Sequence, residues 1–136
     1  MSNISVDTVW AYTNGQLPAN ADSTLIDYNT GMIAVLPQGA CIRNIWFHLT
    51  GSGGNPQYLT GGATLKFGIA GQNEYIVPAS AGLSTDNINS NDVMYTPAGL
   101  KLSVPVNSNI VANPGNASVA GGGFDVFIEY NLYTDI

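Results

Sequence analysis

From residue 124 onward the chain alternates. Phe124, Val126, Ile128, Tyr130 and Leu132 point to one side of an extended backbone, and Asp125, Phe127, Glu129, Asn131 and Tyr133 to the other. That alternation predicts a strand whose first set faces the core. The same period recurs where Leu65, Phe67 and Ile69 alternate with Thr64, Lys66 and Gly68, and where Leu100, Leu102 and Val104 alternate with Lys101 and Ser103. Elsewhere, short β-branched or alternating runs are closed by Gly, Pro, Asn or Asp, the pattern of strands and turns. Strands are predicted at 7–13, 23–28, 31–36, 40–50, 63–69, 74–77, 93–96, 100–104, 109–112 and 123–133. Helical spacing is absent, and the stretch 78–97 holds a helical turn at most.

The run 40–50 breaks the simple rule. Cys41, Ile45, Phe47 and Leu49 fall on one face with Arg43, while Ile42, Trp46 and His48 share the other with Asn44. A regular strand with this pattern is covered on both sides, its outer face met by a loop or by another chain. Many short strands with no helices between them predict an all-β protein, a single-domain two-sheet antiparallel sandwich over 1–136, jelly-roll-like, with 1–6 as an N-terminal arm. An immunoglobulin-like sandwich is the alternative, although the chain lacks its cysteine pair.

Composition narrows the function classes. Only 9% of residues are charged, against about 25% in an average globular protein, so the solvated faces must be built from Asn, Ser, Thr, Gly and Gln. The net charge of −6 repels a polyphosphate at long range, so no nucleic-acid partner is expected. Arg43, Lys66 and Lys101 are too dispersed for a polybasic membrane patch, and nowhere are there the roughly 18 consecutive apolar residues of a membrane-spanning helix. The first residues have neither the basic nor the apolar region of a signal peptide, so synthesis in the cytoplasm without one is expected. Cys41 stands alone, which rules out an intrachain disulfide.

Catalytic groups are scarce. His48 is the one imidazole available as a general base. Its nearest nucleophile in sequence, Cys41, is seven residues away, an odd offset that places the two on opposite faces of a regular strand. No nucleophile elbow, Walker loop or dinucleotide fingerprint is present. One His and one Cys cannot hold zinc without carboxylates. Asp86, Asn89 and Asp92 concentrate oxygen ligands in one loop, but the spacing departs from an EF-hand and turn-building explains it more simply. Asp125 and Glu129 share a face four residues apart, about 13 Å, beyond the gap that glycoside hydrolysis uses. We therefore expect no catalytic residues, no cofactor and no enzyme. Of the aromatics, Tyr130 belongs to the core. Trp10 and Tyr12, two apart on one face, and Trp46 are expected with Ile4 and Val6 to form a protein interface. A carbohydrate platform is the alternative use.

Three segments carry a resemblance: Ala117-Ser-Val-Ala-Gly-Gly-Gly-Phe-Asp-Val-Phe-Ile-Glu-Tyr130, Leu65-Lys-Phe-Gly-Ile-Ala-Gly71 and Gly99-Leu-Lys-Leu-Ser-Val-Pro-Val106. Together, over roughly the second half of the chain, they resemble the small all-β auxiliary or decoration proteins of tailed-phage heads. The resemblance implies a virion protein at the capsid surface that docks on the major capsid lattice and reinforces it, often as a trimer. Its partners would be the major capsid protein or other virion proteins, and further copies of itself. A carbohydrate- or receptor-binding module of a tail or fibre is the alternative.

Overall fold

A computed structural model describes residues 2–13, 17–49, 51–52, 55–56, 63–84, 88, 92–97, 103–116 and 124–135. The strands are β1 (Ser2–Thr13), β2 (Ser23–Asp27), β3 (Val35–Leu36), β4 (Ala40–Leu49), β5 (Gly51–Ser52), β6 (Asn55–Pro56), β7 (Lys66–Ile69), β8 (Gln72–Val77), β9 (Val93–Tyr95), β10 (Ser108–Asn113) and β11 (Phe124–Asp135). A 3₁₀ turn spans Ala79–Ala81. The all-β class expected from the alternating pattern is the one that forms.

Hydrogen bonds run without a break through one antiparallel sheet in the order β8-β7-β10-β2-β1-β11-β4-β9, with β3 added against β10. The strands expected in two sheets are thus joined in one, because β2 turns a corner. Its first residues, Ser23 and Thr24, pair with β10, and Leu25, Ile26 and Asp27 pair with β1. The sheet rolls until it is nearly closed into a barrel. Near the seam, the Tyr75 hydroxyl on β8 donates to the carbonyl of Ser103, which itself bridges to Cys41 on β4.

The interior holds most of the side chains that the alternation assigns to it, with Leu132 partly buried at its edge and Leu100 and Leu102 outside the described residues. Leu65, Phe67, Ile69, Phe124, Val126, Ile128 and Tyr130 are all buried, each large one contributing about 1.5–3 kcal/mol of apolar transfer. Phe47 meets Phe124 and Phe67, with ring centroids 5.8 and 5.5 Å apart. Between β7 and β8 the turn is so close that a Cβ on Gly68 would lie 2.2 Å from the Gln72 carbonyl oxygen. Only glycine fits there.

Three expectations change. Where an arm is expected, residues 2–6 continue β1 and pair with β11, from Ser2 opposite Asp135 to Val6 opposite Asn131. In β4, Asn44 lies opposite Glu129 but Ile42 opposite Tyr130, so Arg43 is an extra, bulged residue. The bulge reverses the phase. Ile42 and Ala40 turn inward with Ile45 and Phe47, while Cys41 joins Trp46 and His48 outside. The mixed pattern of that strand records a kink, not burial on both sides. Finally, the stretch 31–36 contributes only Val35–Leu36 and a bridge at Ile33, because a tight turn with Gly31 in the left-handed region occupies its start. Of the segment 100–104, residues 100–102 lie outside the described residues.

Candidate protein-contact surface

Strands β1, β11, β4 and β9 are consecutive neighbours, and their registers line up one side chain from each. Trp10 lies opposite Phe127, Phe127 opposite Trp46, and Trp46 opposite Met94. All four sit on the outer face, since the residues before and after them in β1, β4 and β11 point into the barrel. Trp10 is 43% exposed, Phe127 40% and Met94 59%, with Trp46 half-buried between them. Tyr28, just past β2, lengthens the row by packing its ring on Trp10 and on Tyr12, at 4.3 and 4.5 Å between centroids. The result is an apolar band running across the strands.

Polar rows border it on both sides. One step along the strands lie Tyr12, Asp125 and His48 in register. Here the Tyr28 hydroxyl donates to Asp125, and His48 Nδ1 sits 2.6 Å from a carboxylate oxygen of Asp92. One step the other way lie Thr8, Glu129 and Asn44. Thr96 donates to the Asn44 side-chain oxygen at 2.7 Å, and the bulged Arg43 brings its Nε within 3.7 Å of Glu129. An apolar centre with a hydrogen-bonded polar margin is how protein contact surfaces are built.

The Tyr28 and Asp125 pair is electrostatically shaped. Burial raises the Asp125 carboxyl above the usual aspartate range, and the hydrogen bond from Tyr28 and the nearby His48 only partly offset it. Burial, followed by the bond to Asp125 and that group's charge, holds the Tyr28 hydroxyl well above the usual tyrosine range.

The expected interface residues are placed on one face. Trp10, Tyr12 and Trp46 lie within or beside the band, and Ile4 and Val6 continue the same face of β1, exposed by 63% and 55%. Phe127 is an outward aromatic in the sequence pattern, yet nothing in that pattern shows that it bridges the two tryptophans. Met94 joins only through the register of β4 with β9. Neither carries a sequence motif.

The catalytic alternatives do not assemble. The bulge puts Cys41 and His48 on the same face after all, correcting the expectation of opposite faces, but seven residues of strand separate them by about 20 Å. Cys41 Sγ donates to the Gly39 carbonyl at 3.7 Å. Asp125 accepts from the Tyr28 hydroxyl, and Glu129 is ion-paired with Arg43. Of the loop acids, Asp86 and Asn89 lie outside the described residues, and Asp92 is engaged by His48. Among the described residues no three His, Cys, Asp or Glu side chains gather as a metal site would need. An open cleft along β8 is lined by Asp22, Asn73, Glu74 and Tyr75. There Asp22 accepts from Asn73 and Asn113, and Glu74 from the Ala79 N–H.

No protein-family model matches the chain, and no curated protein matches it in sequence. Two solved structures do match. One is a chain of the cyanophage Pam1 capsid asymmetric unit, with a TM-score of 0.54 and 21% identity over 96% of this chain and 86% of that one. The other is a chain of the acidic stable capsid structure of Helicobacter pylori bacteriophage KHP30, with a TM-score of 0.50 and 16% identity over 100% of both chains. At these identities the likeness is one of fold, and this chain shares that fold along essentially its whole length.

Proposed function

We propose that this chain is a non-enzymatic structural protein of a virus particle, a decoration or auxiliary head protein that docks on the major capsid lattice and reinforces it. The observation that carries this reading is the end-to-end likeness of fold to chains from two phage capsids. Because the coverage is nearly complete in both directions, those chains are of comparable size to this one. Capsid chains of that size are what supports the reading of a small accessory subunit. The residue-level features agree. The outer face carries an aromatic band with a polar margin, and among the described residues the His48 ring in that margin is held by the Asp92 carboxylate rather than by a nucleophile. The rolled sheet, taken as a flattened jelly-roll-like sandwich over 1–136, offers that face as a broad contact surface.

Docking through Trp10, Phe127, Trp46 and Met94 would bury the band against the lattice, with Tyr12, Ile4 and Val6 at its border. Co-sedimentation with heads of the virus that encodes it tests the proposal, followed by cryo-EM of the decorated particles. Saturable binding with this face against the shell is expected. A protein that stays in the supernatant at every concentration sinks it.

A carbohydrate- or receptor-binding role would use the same aromatics, and the carboxylate and amide groups beside them are what favours it. Against it, Trp46 and Phe127 stand at 64° to one another, whereas sugar faces stack on rings that lie flat. Binding on a glycan array that is lost in Trp46→Ala would reverse the order of the two readings.

A further inference from the structure

The free side of β1 has the geometry of a joint between two copies of this chain. Strand β2 covers β1 only at Ala11, Tyr12 and Thr13, and the Tyr28 N–H then donates to the Trp10 carbonyl at 2.9 Å. That bond sets the phase of the whole strand. The backbone groups of a strand alternate sides, so the N–H and C=O of Thr8, Val6 and Ile4 point the same way as those of Trp10, away from β11. Among the described residues no strand pairs with that side of β1 from Thr8 back to Ser2. Ile4 and Val6 are also among the most exposed large apolar residues. An edge that is long, unpaired and apolar is a template for another strand.

We propose that the occupant is a second copy, paired β1 to β1 in antiparallel register across a two-fold axis. Three two-fold registers set Val6 of one copy against Ile4, Val6 or Thr8 of the other. Centring on Asp7 sets two carboxylates opposite each other and requires the backbone carbonyl of Trp10 that Tyr28 already holds. Centring on Val6 sets Ile4 against Thr8 and reaches no further, for the same reason. Centring on Ser5 sets Ile4 against Val6 twice and Asp7 against Asn3. It opposes no like charges, and its ladder runs from Thr8 of one copy to Ser2 of the other. This register is the one assigned, and the interface is self-complementary as a two-fold requires. The side chains of Ile4 and Val6 lie on the same face as the aromatic band, so the joint would place both bands on one continuous surface. The pairing does not depend on what that surface binds.

Sedimentation velocity at tens of micromolar tests the joint, and a species of twice the 14.2 kDa chain mass is expected. Val6→Pro removes an outward N–H that makes no bond to β11, which an edge strand tolerates. It should return the protein to monomer with its far-UV spectrum unchanged. Ser5→Cys in a Cys41→Ser background tests the register. Residues opposite each other in a non-hydrogen-bonded pair have Cα atoms about 4.5 Å apart, within disulfide range, so mild oxidation should give a covalent dimer. Val6→Cys in the same background should not. A monomer at every concentration overturns the proposal, as does a dimer indifferent to Val6→Pro. Preferential cross-linking through Val6→Cys overturns the register.

Discussion

Phe47 of β4 and Phe67 of β7 meet edge-on inside the barrel, with centroids 5.5 Å apart and planes at 85°. In the sheet order four strands lie between them, so their contact measures how far the sheet has rolled onto itself. Both rings are fully buried. Phe67→Ala should cost about 3–5 kcal/mol, the loss of a buried ring plus the cavity it leaves. Urea unfolding monitored by tryptophan fluorescence reads this directly, and a loss under about 1 kcal/mol would mean that the two layers are not packed as described.

Gly68 makes a sharper case because the conflict is with backbone. A single methyl there would sit 2.2 Å from the Gln72 carbonyl oxygen and 2.8 Å from the backbone nitrogen of Tyr75, none of which a side-chain rotation can relieve. Gly68→Ala should therefore destabilise by about 2 kcal/mol or more, the usual scale of steric overpacking. Thermal unfolding beside Ser80→Ala, a control at an exposed position, checks it. Equal and small shifts at both positions would contradict the close β7–β8 approach.

Asp125 predicts a pH dependence opposite to that of most carboxylates. Its folded pKa lies above the unfolded value, so the folded state holds the proton more tightly. The resulting stability is fully present below the ordinary aspartate range near pH 3.9 and fades as pH rises through the folded pKa. Asp125→Asn keeps an oxygen acceptor for Tyr28 and cannot ionise. The melting temperature of the variant minus that of the wild type should be larger at pH 7 than at pH 4. A flat or reversed difference would place the carboxyl in a different environment.

The phenols supply an independent check on the same contact. Tyr28 and Tyr130 are both raised, Tyr130 by burial and then by the Asp7 charge. Their protonated forms are the ones the fold favours, so this contribution persists below pH 10 and is lost as pH rises through the folded values. Ultraviolet titration of the native protein near pH 10.5 should show at least two of the seven tyrosines still protonated, and in Asp125→Ala the Tyr28 hydroxyl, still raised by burial, should ionise at a lower pH than in the wild type. Full ionisation of all seven in the folded protein would refute it.

On the outer face, affinity and stability should separate. Cross-strand pairs on an exposed face contribute about 0.2–1 kcal/mol each, so Trp10→Ala and Phe127→Ala should unfold close to the wild type. If the band docks on a capsid, each should weaken head binding by about tenfold or more, as central aromatic anchors do. Binding curves from co-sedimentation, set beside the unfolding curves, distinguish this from a band that merely braces the sheet.

Much of the core can be read from residue order alone. The period of two assigns Phe67, Ile69, Phe124, Val126, Ile128 and Tyr130 to the interior, because adjacent side chains of a strand must leave on opposite sides and water selects which set is buried. It also places Trp10 and Tyr12 together and turns Phe127 outward. Those are local facts, settled within a few residues of each other.

What the chain order could not disclose is everything that depends on a neighbour distant in sequence. The bulge at Arg43 is invisible until β11 is set beside β4, and it alone reverses which side Ile42 and Cys41 occupy. The corner at β2 makes one rolled sheet from strands that composition would equally permit as two. Trp10, Phe127, Trp46 and Met94 become a band only through three registers, and among the described residues one side of β1 goes unpaired before Trp10 because β2 stops short. Alternation is a property of a single strand. Register and closure are properties of pairs, chosen by the free energy of the whole barrel.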